Sequence, residues 1–226
     1  MSRRVVALTV DRLTELDGPV RESLFWELDP VRRRAVPQDR RAAEKEAWVS
    51  EVLRDWGSCG RVVCVDGRPV GIAIYVPEAY APGAAAYPTA PISPDALLLT
   101  TVWVDPAYRG AGLGRMLIQG MARDLVSRGG IGAVEAYADR GPLSAVAGER
   151  CAPPEGFLAH VGFRTRRSHP AAPRLRMELR STVRWRDEVE AAVGRLMGAV
   201  RPAHKPVPAP RGPLTRVRLR RHGHGS

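Results

Sequence analysis

The segment from Val102 to Arg115, Val-Trp-Val-Asp-Pro-Ala-Tyr-Arg-Gly-Ala-Gly-Leu-Gly-Arg, has the residue types and spacing to grip a phosphate. Glycine recurs at Gly110, Gly112 and Gly114, and Arg109 and Arg115 flank them with positive charge. Glycine admits positive φ and close approach to the main chain. Successive amides turned one way form an anion nest, and a helix that follows adds partial positive charge at its N-terminus. No Lys-Ser or Lys-Thr follows Gly114, so the segment is not a P-loop. No acidic residue closes a βαβ unit at the distance a dinucleotide fingerprint needs.

Such a loop works only when a strand leads in and a helix leads out. Leu97 to Val104 is apolar and β-branched and reads as a buried strand ended by Asp105-Pro106. Gly112 to Arg128 has helical period, with Met116, Leu117, Met121 and Leu125 inward and Gly129-Gly130 as terminator. Upstream, Arg4 to Val10 reads as a strand. A helix is expected from Asp11, with Leu13, Leu16, Val20, Leu24 and Leu28 on one face, ending near Asp29-Pro30. Arg32 to Arg41 reads as a loop and Ala42 to Trp56 as a second helix. Apolar runs on either side of Asp66-Gly67 signal a hairpin. Pro77 to Pro94, rich in Ala and Pro, is a long loop. Downstream, Gly132 to Ala138 is a strand, 139–153 a loop and Pro154 to Val161 a short helix. Strands follow at Arg164 to Arg167 and Leu175 to Arg180, then an amphipathic helix from Thr182 to Val200.

With Arg109 in front, Arg-x-x-Gly-x-Gly between strand and helix resembles the acetyl-CoA loop of the GNAT (Gcn5-related N-acetyltransferase) superfamily. The order of elements over residues 3–180 is similar to that family's, and Gly162-Phe163 stands in its usual place. Phe25 to Pro30, Glu44 to Trp48 and Pro173 to Leu179 look like an actinobacterial group of the family whose substrate is unassigned. The resemblance implies a GNAT fold of the α/β (α+β) class, a mixed sheet with a splayed strand pair flanked by helices. It also implies acetyl transfer from acetyl-CoA to a primary amine by direct attack in a ternary complex.

On that resemblance the amides from Gly110 through Ala111, Gly112, Leu113 and Gly114 to Arg115 hold the pyrophosphate, with Arg109 adding charge. The main chain of Val102, Trp103 and Val104 pairs with pantetheine and polarises the thioester carbonyl. Many family members carry a tyrosine four residues before the Gly-Phe pair to protonate the leaving thiolate; here Leu158 stands there. The cofactor-contacting asparagine of the family falls at Cys151. Tyr137, His160 and Cys151 are the alternative acids; Asp95, Glu27 and Asp29 are the alternative bases. No metal spacing is present.

Composition bounds the rest. The 226 residues, 44% apolar, suit one domain with extensions. No apolar run reaches 18 residues, so no membrane partner is expected. The N-terminus lacks a secretory cleavage site, and three cysteines without paired spacing suit a reduced cytoplasm. The net charge is +11, and residues 201–226 supply seven Arg or Lys, no acid and five prolines. Three segments are therefore expected: the acetyltransferase domain at 3–180, an amphipathic helix at 181–200 and a basic, disordered tail at 201–226. The tail leaves an alternative open, an acyl-CoA-binding regulatory protein that contacts nucleic acid or an acidic partner; a solvated tail is favoured.

Overall fold

The computed structural model describes residues 1–140 and 152–179. The chain divides into a unit Met1–Asp187 and a second unit Glu188–Ser226. The second unit, the expected helix at 181–200, the basic tail and Cys151 lie outside the described residues.

Among the described residues seven strands form one sheet in the order β1-β2-β3-β4-β5-β7-β6. They are β1 (Arg3–Ala7), β2 (Gly60–Val65), β3 (Arg68–Val76), β4 (Ala96–Val104), β5 (Ala133–Tyr137), β6 (Arg164–Arg167) and β7 (Arg174–Glu178). Only β4 and β5 pair in parallel; the other neighbours are antiparallel. The β2–β3 hairpin turns on Asp66 and Gly67, at φ 48° and 89°. That is the positive-φ pair a two-residue hairpin requires.

Among the described residues five α-helices flank the sheet: α1 (Val10–Thr14), α2 (Pro30–Ala35), α3 (Arg41–Asp55), α4 (Leu113–Arg128) and α5 (Glu155–His160). On one face α4 buries Leu113, Leu117, Ile118, Met121 and Leu125, in one cluster with Leu158 of α5. Gly120 lets α4 close on β1, since a Cβ there would lie 2.6 Å from Val5 Cγ1. The other face carries Leu13 of α1, Val49 and Val52 of α3, and Trp26. Cys59 and Cys64 are free thiols buried in this second cluster, and burial pushes the Cys59 thiol up to about 11.

The long helix expected from Asp11 to Asp29 is not formed. Helix α1 stops at Thr14, a 3-10 turn covers Pro19–Arg21, and α2 lies where a loop was expected. Gly18 at φ 97°, followed by Pro19 without an amide hydrogen, breaks the helical ladder. Asp29-Pro30 starts a helix instead of ending one. The Asp29 carboxylate accepts from the Val31 and Arg32 amides at 2.9 and 3.1 Å, and Pro30 takes the first helical position. The apolar spacing was still informative about burial, because Leu13, Leu16, Val20 and Leu24 are all buried. The first strand likewise ends at Ala7, because Thr9 caps α1 through its side chain.

Strand β4 changes its facing partway along. The register with β3 slips between Ile74 and Tyr75, leaving Thr100 as the extra residue, its hydroxyl donating to the Ile74 carbonyl at 3.2 Å. Before the bulge Leu97 and Leu99 face α4 and Leu98 the opposite side. After it Val102 and Val104 face α4 and Trp103 the opposite side.

Candidate active site

Parallel pairing of β4 with β5 covers only Ala96↔Ala133, Leu97↔Val134 and Leu98↔Glu135. Beyond it, β4 runs on to Val104 bonded to β3 alone, and β5 runs on to Tyr137 bonded to β7. The two strands therefore splay, and the main chain of Val102, Trp103 and Val104 borders a gap in the sheet. Unpaired strand amides and carbonyls need a partner, so this gap can take an extended polar chain.

The glycine loop sits at the end of the same strand. The Asp105 carboxylate caps a short 3-10 turn through the Ala107 amide at 2.9 Å. Gly110 and Gly112 both have φ 78°, and a Cβ at either would meet nothing within 4 Å. Glycine is needed there for backbone conformation. Gly114 is needed for space, because a Cβ would lie 2.9 Å from the Phe157 ring of α5. Gly112 is the N-cap of α4 and makes no side-chain cap. Among the described residues, the amides from Gly110 to Arg115 find no acceptor. Gly110, Ala111 and Gly112 are exposed. Unpartnered, solvent-facing amides at a helix start fit an anion.

Three arginines surround this loop differently. Arg3 of β1 donates to the Ala111 carbonyl at 2.9 Å and tethers the loop from the sheet edge. Arg109 Nε donates back to the Val104 carbonyl at 3.0 Å. Arg115 lies 3.0 Å from His160 Nε2 on α5. His160 is thereby placed beside the anion loop. Leu158, in the place where a tyrosine acid would stand, is fully buried in the core.

The candidate catalytic residues are not brought together. Among the described residues, no hydrogen bond or ion pair joins Tyr137 directly to Glu27 or Asp95. Tyr137, at the end of β5, stacks on Tyr87 at 4.5 Å, and its hydroxyl donates to Glu78 Oε1 at 3.2 Å. Burial first, then the Glu78 charge, push its pKa upward. Glu27 is buried in an ion pair with Lys45, whose ammonium also donates to the Ser23 carbonyl at 3.1 Å. Asp95 accepts both Arg176 terminal nitrogens, at 2.9 and 2.7 Å. These bonds hold its carboxyl below the usual value of 3.8. Asp29 is similarly held low by the α2 amides it caps.

The sequence reading missed Glu78 and the buried charges beside Tyr137. Glu135 is fully buried and ion-paired to Arg174 and Arg176 at 3.2 and 3.1 Å. The side chain of Arg174, opposite Tyr137 in register, leaves Nη1 without a hydrogen bond. Glu78 had one available signal: it is the only acid between Pro77 and Pro94. Among the described residues no group of three or more His, Cys, Asp or Glu could hold a metal, and no helix is long and apolar enough to cross a membrane.

Solved structures share this architecture. The PaiA N-acetyltransferase from Thermoplasma acidophilum, in complex with coenzyme A, is 14% identical over 79% of this chain and 99% of its own, with a TM-score of 0.50. Ard1 from Thermoplasma volcanium is 12% identical over 79% and 98%, also at 0.50. A further acetyltransferase is 16% identical over 78% and 99%, at 0.52. At these identities the likeness is one of fold. No curated protein matches the chain. A model of the acetyltransferase (GNAT) family matches residues 21–146, more than half of the chain. That match spans the splayed strand and the glycine loop, and with them the chain belongs to the acetyltransferase (GNAT) family.

Proposed function

We propose that the protein is an acetyl-CoA-dependent N-acetyltransferase that brings a primary amine and the thioester together in one ternary complex. The observation that carries this reading is the run of unpartnered amides from Gly110 to Arg115, exposed at Gly110, Ala111 and Gly112, directly beyond the splayed end of β4. Those amides, with Arg109 and Arg115, would hold the pyrophosphate. The main chain of Val102, Trp103 and Val104 would pair with pantetheine. The Trp103 side chain faces away from α4 and packs over Gly18, so its contribution there is main-chain. A fold neighbour is in complex with coenzyme A.

Acetyl-CoA supplies an activated acyl group. In the transfer a C–N bond forms and the C–S bond breaks. The amine nitrogen gives up one proton and the sulfur gains one. Tyr137 is assigned the donor role on position, at the end of β5 past the last residue paired with β4, as a phenol that is protonated at neutral pH. Asp95, Glu27 and Asp29 are each occupied by structural partners, which weakens them as bases.

Calorimetry with acetyl-CoA tests the reading. Gly112→Asp, which sets a carboxylate among the phosphate-facing amides, should weaken binding about a hundredfold; an affinity equal to wild type would sink the proposal. Tyr137→Phe should lower kcat and leave acetyl-CoA affinity intact. The second reading, an acyl-CoA-binding regulator, is favoured by Leu158 occupying the tyrosine place as a core residue. It predicts cofactor binding without turnover on any amine.

A further inference from the structure

An open cavity of about 430 Å³ is formed within the Pro77–Pro94 segment, against Tyr87. Its walls are Ala81, Pro82, Ala85, Tyr87, Ala90 and Pro91, and Glu78 is its one lining residue charged at neutral pH. The size falls toward the lower end for small-molecule pockets, roughly 300–1,000 Å³.

The segment is held firmly enough to act as a wall. The Gly83 amide donates to the Trp26 carbonyl at 3.1 Å, and a Cβ on Gly83 would overlap the Phe25 carbonyl oxygen. Trp48 Nε1 donates to the Tyr80 carbonyl at 3.0 Å. Thr89 donates to the Ala172 carbonyl at 3.1 Å.

Glu78 is fixed through one oxygen and open through the other. Oε1 accepts the Ile92 amide and the Tyr137 hydroxyl, both at 3.2 Å. Oε2 accepts nothing among the described residues, and Glu78 is only partly buried. A carboxylate that lines a cavity and is pinned through one oxygen only is a ready acceptor for an ammonium group. Its anchor, Tyr137, stands at the end of β5 past the last residue paired with β4. The cavity is thus tied to the edge of the splayed gap.

Resting on the acetyltransferase reading above, we infer that this cavity is the acceptor site and that Glu78 selects its substrate class. That class is a small primary amine with one positive charge and a compact apolar body. Free amino acids bring a second carboxylate toward Glu78.

The test uses the full chain saturated with coenzyme A and titrated calorimetrically with 2-phenylethylamine, with glycine as the contrasting probe. The wild type should bind 2-phenylethylamine and prefer it to glycine. Glu78→Gln keeps the Oε1 acceptor for Ile92 and Tyr137 but removes the charge. It should weaken amine binding about tenfold or more, as loss of a charged hydrogen-bond partner does. Ala85→Leu, at an exposed wall position, should also weaken it while Glu78 stays intact. Absence of 2-phenylethylamine binding, preference for glycine, or a Glu78→Gln affinity equal to wild type overturns the inference. Acetyl-CoA affinity is read in parallel and should not change in either variant. A wild type that fails to bind acetyl-CoA defeats the underlying reading, whereas normal acetyl-CoA binding with an indifferent Glu78→Gln defeats only the acceptor assignment.

Discussion

The glycine loop and the Pro77–Pro94 segment sit against the same splayed strand pair and differ in how they recognise. The loop offers main-chain amides, exposed and unpartnered, on glycines whose φ no other residue adopts easily. The Pro77–Pro94 segment offers side chains: one carboxylate, a stacked tyrosine and small apolar walls, carried on two short 3-10 turns. Main-chain recognition suits a ligand part common to every reaction cycle. Side-chain recognition is what one family member varies to choose its own acceptor. Substitutions on both sides test that difference.

The largest effect should come from the acceptor side, where the wall depends on a buried charge pair. Phe25 and Trp26 lie on an irregular stretch held by Lys45 to Ser23 and Glu27. Lys45→Ala leaves Glu27 buried and uncompensated, and should cost about 3–5 kcal/mol in urea unfolding. Adding Glu27→Leu to a Lys45→Met variant should return most of that stability. A Lys45→Ala cost below about 1 kcal/mol would mean the stretch is held by packing alone.

On the cofactor side, Gly112→Asp should weaken acetyl-CoA by about a hundredfold, near 2.8 kcal/mol, while 2-phenylethylamine binding persists. Arg115→Ala should cost less, about tenfold at most, since Arg115 is exposed and shared with His160. If Arg115→Ala proves the more damaging of the two, side-chain charge rather than main chain governs the loop and the contrast fails.

The smallest effect concerns the Asp95–Arg176 pair at the start of β4. Arg176 keeps Asp95 ionised, so the unfolded chain holds that proton more tightly than the folded one. The pair's contribution is present above the ordinary value of 3.8 and is lost as pH falls through the lower folded value. Asp95→Asn should therefore flatten the loss of stability below about pH 4, and only slightly, because the Asp95 side chain is 56% exposed. An unchanged acid limb would show that the pair is energetically neutral.

The same contrast explains what could be read before any coordinates. The β4–loop–α4 unit was legible because main-chain recognition forces glycine to fixed positions and because burial writes an apolar period. Glu78 was not legible, since one acid in an aperiodic stretch of Ala and Pro carries no pattern. The first helix was misread for a related reason. Leu13, Leu16, Val20 and Leu24 are all buried, but that periodicity reports burial, and Gly18-Pro19 interrupts the helix. Asp-Pro at 29–30 reads as a stop or as a cap, and only the side-chain bonds to Val31 and Arg32 decide between them. The bulge at Thr100 has no sequence mark in a run where residues of both faces are apolar.

The sealed thiols of Cys59 and Cys64 have a practical consequence for how turnover is followed. Acetyl transfer liberates a thiol, and colourimetric reagents that count thiolates at neutral pH respond to any accessible cysteine. Cys59, with its pKa raised to about 11 and no exposed surface, should stay silent, and Cys64 is buried in the same cluster. Before acetyl-CoA is added, any reagent-titratable thiol of the folded chain should then belong to Cys151. Cys151→Ser should give a dark baseline against which each released thiol is one completed transfer.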